Sequence, residues 1–168
     1  AHQRGADVFI SLHADALAHG VAHGARIFTL SDAASDAASA ALAERHDRLD
    51  ILSGIDLNGA DDVVTDVLLD LARLETAPRA RALAQSVLAG IENATGDLYK
   101  LPLQQAAFSV LKAADIPSIL VEAGFLSTDQ DLDNLIDPLW RAGFIAGLRD
   151  GLAAWVISDR AEATLRRR

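Results

Sequence analysis

His13 and Glu122 are the residues of this chain best placed to do chemistry, because each stands where a short buried strand gives out. His13 follows Val8-Phe9-Ile10-Ser11-Leu12, and Glu122 follows Ser118-Ile119-Leu120-Val121, two apolar and partly β-branched runs. Ligands of open α/β sheets gather beyond the carboxyl ends of strands, so an imidazole and a carboxylate delivered there are a candidate metal ligand and a candidate general base. Either residue alone is equally a hydrogen-bonded structural group; the pair carries more weight than its members. Zero cysteine removes thiolate zinc sites, catalytic thiols and disulfides, which leaves His, Asp and Glu as ligands. His19 and His23 have the four-residue spacing of one helix face. Gly20 and Gly24 argue against a helix there, and no Glu follows His19, so a surface loop is expected rather than an HExxH site.

The elements that must position these groups follow from periodicity and punctuation. Strands are expected from Asp7 to Leu12, Ala25 to Leu30, Ala107 to Leu111 and Pro117 to Val121. Ser31 or Asp32 is expected to cap an Ala-rich helix running from Ala33 to about Asp47. A second helix follows Asn58-Gly59, with Asp61 and Asp62 at its positive end and Val64, Val67, Leu68 and Leu71 on one stripe. A third starts near Thr76, takes Pro78 in its first turn, and carries Leu83, Val87, Leu88 and Ile91 as far as Gly96. Thr128 with Asp131 reads as a variant capping box, and Asp137-Pro138 opens a last helix with Ile145, Leu148, Leu152 and Trp155 on one face. Strands alternating with helices give an α/β fold, a largely parallel sheet flanked by helices.

The 168 residues are 51% hydrophobic, enough to fill one core. A formal charge of −9 repels phosphates, so nucleic acid is not an expected partner. No apolar run is long enough for a transmembrane segment. Arg166, Arg167 and Arg168 read as a solvated tail.

The stretches GADVFISLHADA and IPSILVEAGFLS resemble, in the right order, the two strand-and-loop motifs of N-acetylmuramoyl-L-alanine amidases of the Amidase_3 type. The similarity extends from Ala6 to about Val156. The resemblance implies an amidase-type zinc hydrolase domain over 1–157, with a C-terminal tail at 158–168. It implies His13 as a Zn2+ ligand and Glu122 as the general base, acting on the amide bond between N-acetylmuramic acid and L-alanine of peptidoglycan. A chain with no Met that opens on Ala1-His2-Gln3-Arg4 reads as truncated or processed. The family's DPGHGG-like His and a further ligating Glu are expected upstream of Ala1. A non-catalytic peptidoglycan-binding or regulatory fragment of the same fold is the alternative.

Between the motifs, a helical insertion is expected at about 43–97. AERHDRLDILSGIDLNGADDVVTDVLLDLA resembles the extra helical segment of Gram-negative cell-division amidases. That resemblance implies autoinhibition relieved by a LytM-domain (EnvC- or NlpD-like) activator, and a periplasmic or cell-envelope location. Glu44, His46 and Asp47 are the candidate inhibitory ligands, with His46 where the family commonly has Glu. Tyr99, Pro102 and Ala107 stand where related sequences have His, Arg and Gly.

Overall fold

Ser118-Ile119-Leu120-Val121 has the unbroken apolar character of a strand covered on both faces, and β4 (Ser118–Phe125) has all eight residues buried. In the computed structural model, which describes residues 5–16, 22–52, 63–113 and 115–166, β4 lies inside a four-stranded sheet. Its companions are β1 (Phe9–Asp15), β2 (Ala25–Leu30) and β3 (Leu98–Ala106), in the order β1-β4-β2-β3. The pairs β1/β4 and β2/β3 are parallel, and β2/β4 is antiparallel. The sheet is thus largely parallel, with one reversed junction at its centre.

Alternation divides the side chains between two faces. On one face, Ile27, Ile119, Val121 and Ala123 pack against α2 (Val63–Thr95), which supplies Leu83, Val87, Leu88 and Ile91. Outside α2 lies α4 (Pro138–Arg166), contributing Phe144 and Trp155. On the other face, Phe28, Leu120 and Ala106 meet Leu42 and Ala43 of α1 (Ala37–Leu52), together with Phe108 and Leu111 beside a 3-10 turn at Ser109–Leu111. This second face also carries the polar groups of the site. The short helix α3 (Asp129–Ile136) follows β4 directly.

Several expectations shift. The third strand lies upstream of Ala107–Leu111, and that apolar run is instead the 3-10 turn and its flanks. Leu98–Ala106 hides its strand character because it is an edge strand, where Pro102 breaks no central ladder and Lys100 and Leu101 face solvent. The two helices expected around Thr76 are one continuous 33-residue helix with Pro78 inside it. Of the expected stripe at Val64, Val67, Leu68 and Leu71, only Leu71 has a described side chain, and it is exposed. Helix α1 is capped by Asp36, whose Oδ1 accepts the Ser39 N–H at 2.7 Å, and not by Ser31 or Asp32. Thr128 makes no side-chain cap, donating its hydroxyl to the carbonyls of Phe125 and Ala22. Asp137 does open α4, accepting the N–H groups of Leu139 and Trp140. Ile145 points out of the expected stripe, and α4 continues through residue 158 to Arg166. His19, expected in a surface loop, lies outside the described residues, as do Asn58, Gly59, Asp61, Asp62, Arg167 and Arg168.

Helices α2 and α4 cross where glycines let their backbones touch. A Cβ added at Gly147 meets the Gly90 carbonyl oxygen at 2.5 Å, and one at Gly151 meets the Ser86 oxygen at 2.5 Å. The nearest neighbour to a Cβ at Gly143 is 3.9 Å away. Gly147→Val is expected to destabilise the fold by about 3 kcal/mol through overpacking. Gly143→Ala is expected to gain about 0.5–1 kcal/mol of helix propensity. Urea titrations of the two variants test this, and equal midpoints contradict the tight crossing.

Candidate metal centre

The parallel register of β1 and β4 sets His13 directly beside Glu122. Because strand side chains alternate, both project to the face covered by α1. Both lie within their strands rather than at the ends, since β1 runs on to Asp15 and β4 to Phe125. The register then slips, pairing Asp15 with Phe125 across one extra residue in β4, while alternation along β1 leaves Asp15 on the same face as His13. Asp15 donates its backbone N–H to Glu122 Oε2 at 3.1 Å, and the Ser11 hydroxyl lies 2.7 Å from His13 Nε2, orienting the ring.

Helix α1 lowers His46 onto this pair. Its ring stands edge-on to His13 with centroids 4.3 Å apart, and its Nε2 lies 2.7 Å from Asp15 Oδ2 and 3.6 Å from Glu122 Oε1. Neither approach is aligned as a hydrogen bond, so Glu122 Oε1 is buried without a donor. The neighbouring Arg45 pairs with Asp15 Oδ2 at 2.9 Å and donates to the Ala16 carbonyl. Ligand atoms of His13, His46 and Glu122 all fall within 4.8 Å of one another. Imidazole nitrogens are ordinary donors to a borderline divalent cation, so His13 and His46 fit such an ion, and the donorless Glu122 oxygen beside them fits a group that faces the ion and its water.

Of the three candidate inhibitory residues, only His46 reaches this centre. Glu44 is 70% exposed and pairs with Arg48 one turn on, while Asp47 accepts the Ser109 N–H and so fastens α1 to the 3-10 turn. His23 faces Asp97 at 3.5 Å, away from the centre.

Further residues escaped the motif reading. Asp15 is two positions beyond His13, and period-2 alternation alone puts it on the same face. Arg26, the lone charge in an otherwise apolar strand, is 2% exposed and is the register partner of Glu122 across the antiparallel junction. Asp131, 2% exposed, accepts N–H groups from Gly24 (3.2 Å) and Phe125 (2.7 Å), tying the β1–β2 loop to the bulge behind Glu122. Gly24 cannot be larger, since its φ is +85° and a Cβ there falls 2.5 Å from the Leu98 backbone.

With this geometry in place, comparison with known proteins is decisive. Residues 1–154 match the Amidase_3 family, N-acetylmuramoyl-L-alanine amidase. The chain belongs to this amidase family. It is 33% identical to N-acetylmuramoyl-L-alanine amidase AmiA of Escherichia coli over 92% of its own length and 54% of that protein. It is 37% identical to AmiC of Neisseria meningitidis over 74% of its length and 30% of that protein. The amidase chain therefore spans about half or less of the curated relatives it matches. The fold matches the amidase Ami1 of Mycobacterium smegmatis with a TM-score of 0.60 at 16% identity, covering 94% of this chain and 57% of that one. AmiC2 of Nostoc punctiforme matches likewise, at 0.60 and 16%, covering 92% and 61%.

The buried charges of the amidase chain compensate one another. Burial opposes ionisation of His46, but the Asp15 and Glu122 carboxylates outweigh it and raise its pKa from 6.5 to about 9. Burial likewise opposes ionisation of Asp15, and His46 with Arg45 lowers its pKa from 3.8 to about 2. A raised imidazole pKa stabilises the fold fully below 6.5, and that contribution is lost as pH climbs through 9. The depressed carboxyl stabilises above 3.8, and that contribution is lost as pH falls towards 2. The metal-free chain is therefore expected to melt highest between about pH 4 and 6.5, losing at most about 3 kcal/mol by pH 9. His46→Gln should flatten the alkaline limb. An unchanged limb in that variant assigns the loss elsewhere.

Proposed function

We propose that the protein is a zinc-dependent amidase that hydrolyses the bond between N-acetylmuramic acid and L-alanine in peptidoglycan, remodelling the cell wall from the periplasmic side of the envelope. The observation that supports it best is the juxtaposition of His13 and Glu122 on adjacent parallel strands, one a metal ligand and the other a base. On the family resemblance, further ligands belong to the portion of the relatives that this chain does not span. Bound at this centre, Zn2+ supplies charge that acidifies a water and polarises the scissile carbonyl. Glu122 takes the water's proton on its donorless Oε1 and returns it to the leaving amine nitrogen, acting first as general base and then as general acid. His13, oriented by Ser11, is the residue of this pair that would hold the metal.

In the same reading, α1 is an autoinhibitory cover and His46 its blocking group. His46 occupies the space between His13 and Glu122, either as a ligand to the ion or as an imidazolium over both carboxylates. Either way water and substrate are kept from Glu122. The C-terminal half of α2 is core rather than cover, because Leu83, Val87 and Ile91 are fully buried. Release of α1 is the step a LytM-domain activator supplies on the family resemblance.

Two measurements test the proposal, using the full-length protein. Glu122→Gln is expected to lower hydrolysis of purified sacculi by at least about 10²–10⁴-fold while zinc content is unchanged. Activity at the wild-type level removes Glu122 from the mechanism, and absence of zinc from the wild type favours a non-catalytic module of this fold. His46→Ala is expected to raise activator-independent hydrolysis, whereas Glu44→Ala leaves it unchanged. A folded His46→Ala protein with no gain in basal rate refutes the blocking role.

A further inference from the structure

Arg26 is a charge that the mechanism above does not use. It is 2% exposed on β2, beside Glu122, with the Phe28, Phe125 and Tyr99 ring centroids 4.7, 4.8 and 5.3 Å from its guanidinium carbon. The rings cover the guanidinium and leave its edges for hydrogen bonds. One terminal nitrogen, Nη1, donates to Gln104 Oε1 at 3.3 Å. The other edge, Nε with Nη2, has no hydrogen-bond partner among the described residues. Those two N–H groups lie side by side and form the planar fork that matches a carboxylate bidentately. Leaving such donors buried and unmet costs free energy, so a built fork of this kind implies an occupant.

Helix α1 lies over this part of the sheet. Its Ser39 hydroxyl donates to Gln104 Oε1 at 2.7 Å on β3, and its His46 reaches Glu122 on β4. The intervening seven residues rise about 10 Å, close to two inter-strand spacings of about 4.8 Å. The helix therefore crosses β2 between these two contacts, directly over the strand that bears Arg26. Withdrawing it uncovers Glu122 and Arg26 together.

We propose that the Nε/Nη2 edge of Arg26 is a carboxylate-binding subsite beside Glu122, which takes an acidic group of the substrate peptide and is withheld by α1. This rests on the proposed reading of Glu122 and α1. Its occupant is a carboxylate of the peptide attached to the muramoyl group, because a planar anion reaching the site in the substrate must lie within a few atoms of the scissile amide. The nearest hydrogen-bonded neighbour, Gln104, is neutral and donates its own amide to Asp36, so it completes the cage without filling the fork.

The test is binding, read with EDTA present so that no hydrolysis is needed. Isothermal titration of the full chain compares an N-acetylmuramoyl peptide bearing free carboxylates with the same peptide amidated. The wild type is expected to bind the free acid about tenfold or more tighter, the range of a charge-assisted hydrogen bond. Arg26→Gln should erase that preference without altering affinity for the amidated peptide, and Arg26→Lys should restore part of it. Ser39→Ala, which cuts the tie between α1 and Gln104, should tighten binding of the free acid. Equal binding of both peptides by the wild type overturns the subsite and needs no variant to fold. Failure of both the wild type and Ser39→Ala to bind either peptide overturns it too. So does an Arg26→Gln protein that keeps the preference, or a Ser39→Ala protein with unchanged affinity. Because hydrolysis is not read, a protein that binds with the stated preference yet never cleaves sinks the proposed activity and leaves the subsite standing.

Discussion

One β-sheet face in this molecule holds the buried Glu122 and Arg26 beside the half-buried His13 and Asp15, and the way their charges balance governs the structure around them. Three of the four are fixed by the pairing of β1 with β4 and by the alternation that sets Asp15 on the side of His13. Arg26 enters from the opposite direction, because β2 runs antiparallel to β4. A carboxylate at the centre of a strand buried on both faces would ordinarily be expelled or neutralised. Here Glu122 has cations or potential cations on both flanks, Arg26 in β2 and His46 from above. The single antiparallel junction in the sheet is therefore part of the site's electrostatics as well as its topology.

That balance separates the two helical layers into different kinds of structure. Helix α2 is held by Leu83, Val87 and Ile91, all fully buried, and by a glycine crossing with α4 that admits no side chain. Removing it would expose the core. Among the residues with described side chains, helix α1 has Leu42 and Ala43 as its buried apolar grip, and beside them its hold is polar: Ser39 on Gln104, Arg45 and His46 on Asp15, Asp47 on the Ser109 amide. Polar contacts exchange with water at small net cost, whereas apolar burial does not. A helix attached in this way can leave while the sheet and the α2–α4 layer stay folded, which is the property a removable cover requires.

How much of this could be read from the sequence follows the same division. Strands β2 and β4 were legible because burial on both faces leaves largely apolar runs, and the half-buried edge strand β1 was legible from its apolar run Val8-Phe9-Ile10. The edge strand β3 was not, since Tyr99-Lys100-Leu101-Pro102 is partly solvated and carries a proline. Pro78 misled the reading of α2, because a single lost backbone hydrogen bond is outweighed by the packing along a 33-residue helix. Asp131 looked like a capping residue from its spacing to Thr128, but the backbone N–H groups of the distant Gly24 and of Phe125 at the end of β4 take its oxygens. His13, Glu122 and His46 were singled out by motif, and what brings them together is strand register, a non-local property that no window of sequence contains.

Arg26 shows where motif reading stops and packing takes over. Nothing in Ala25-Arg26-Ile27-Phe28 marks the arginine as more than an exposed interruption of a strand. Only the sheet order, which places β2 next to β4 and beneath α1, turns that interruption into a buried cation with one hydrogen-bonding edge unused. A solvated guanidinium would need no partner there, and an apolar residue would pack against Phe28 and Phe125 at lower desolvation cost. Keeping an arginine in such a cage is intelligible if the cage opens and an anion enters it. The same motion that frees Glu122 from His46 then also opens the unused edge of Arg26 to an anion, so opening of the cover and capture of an acidic substrate become one coupled equilibrium.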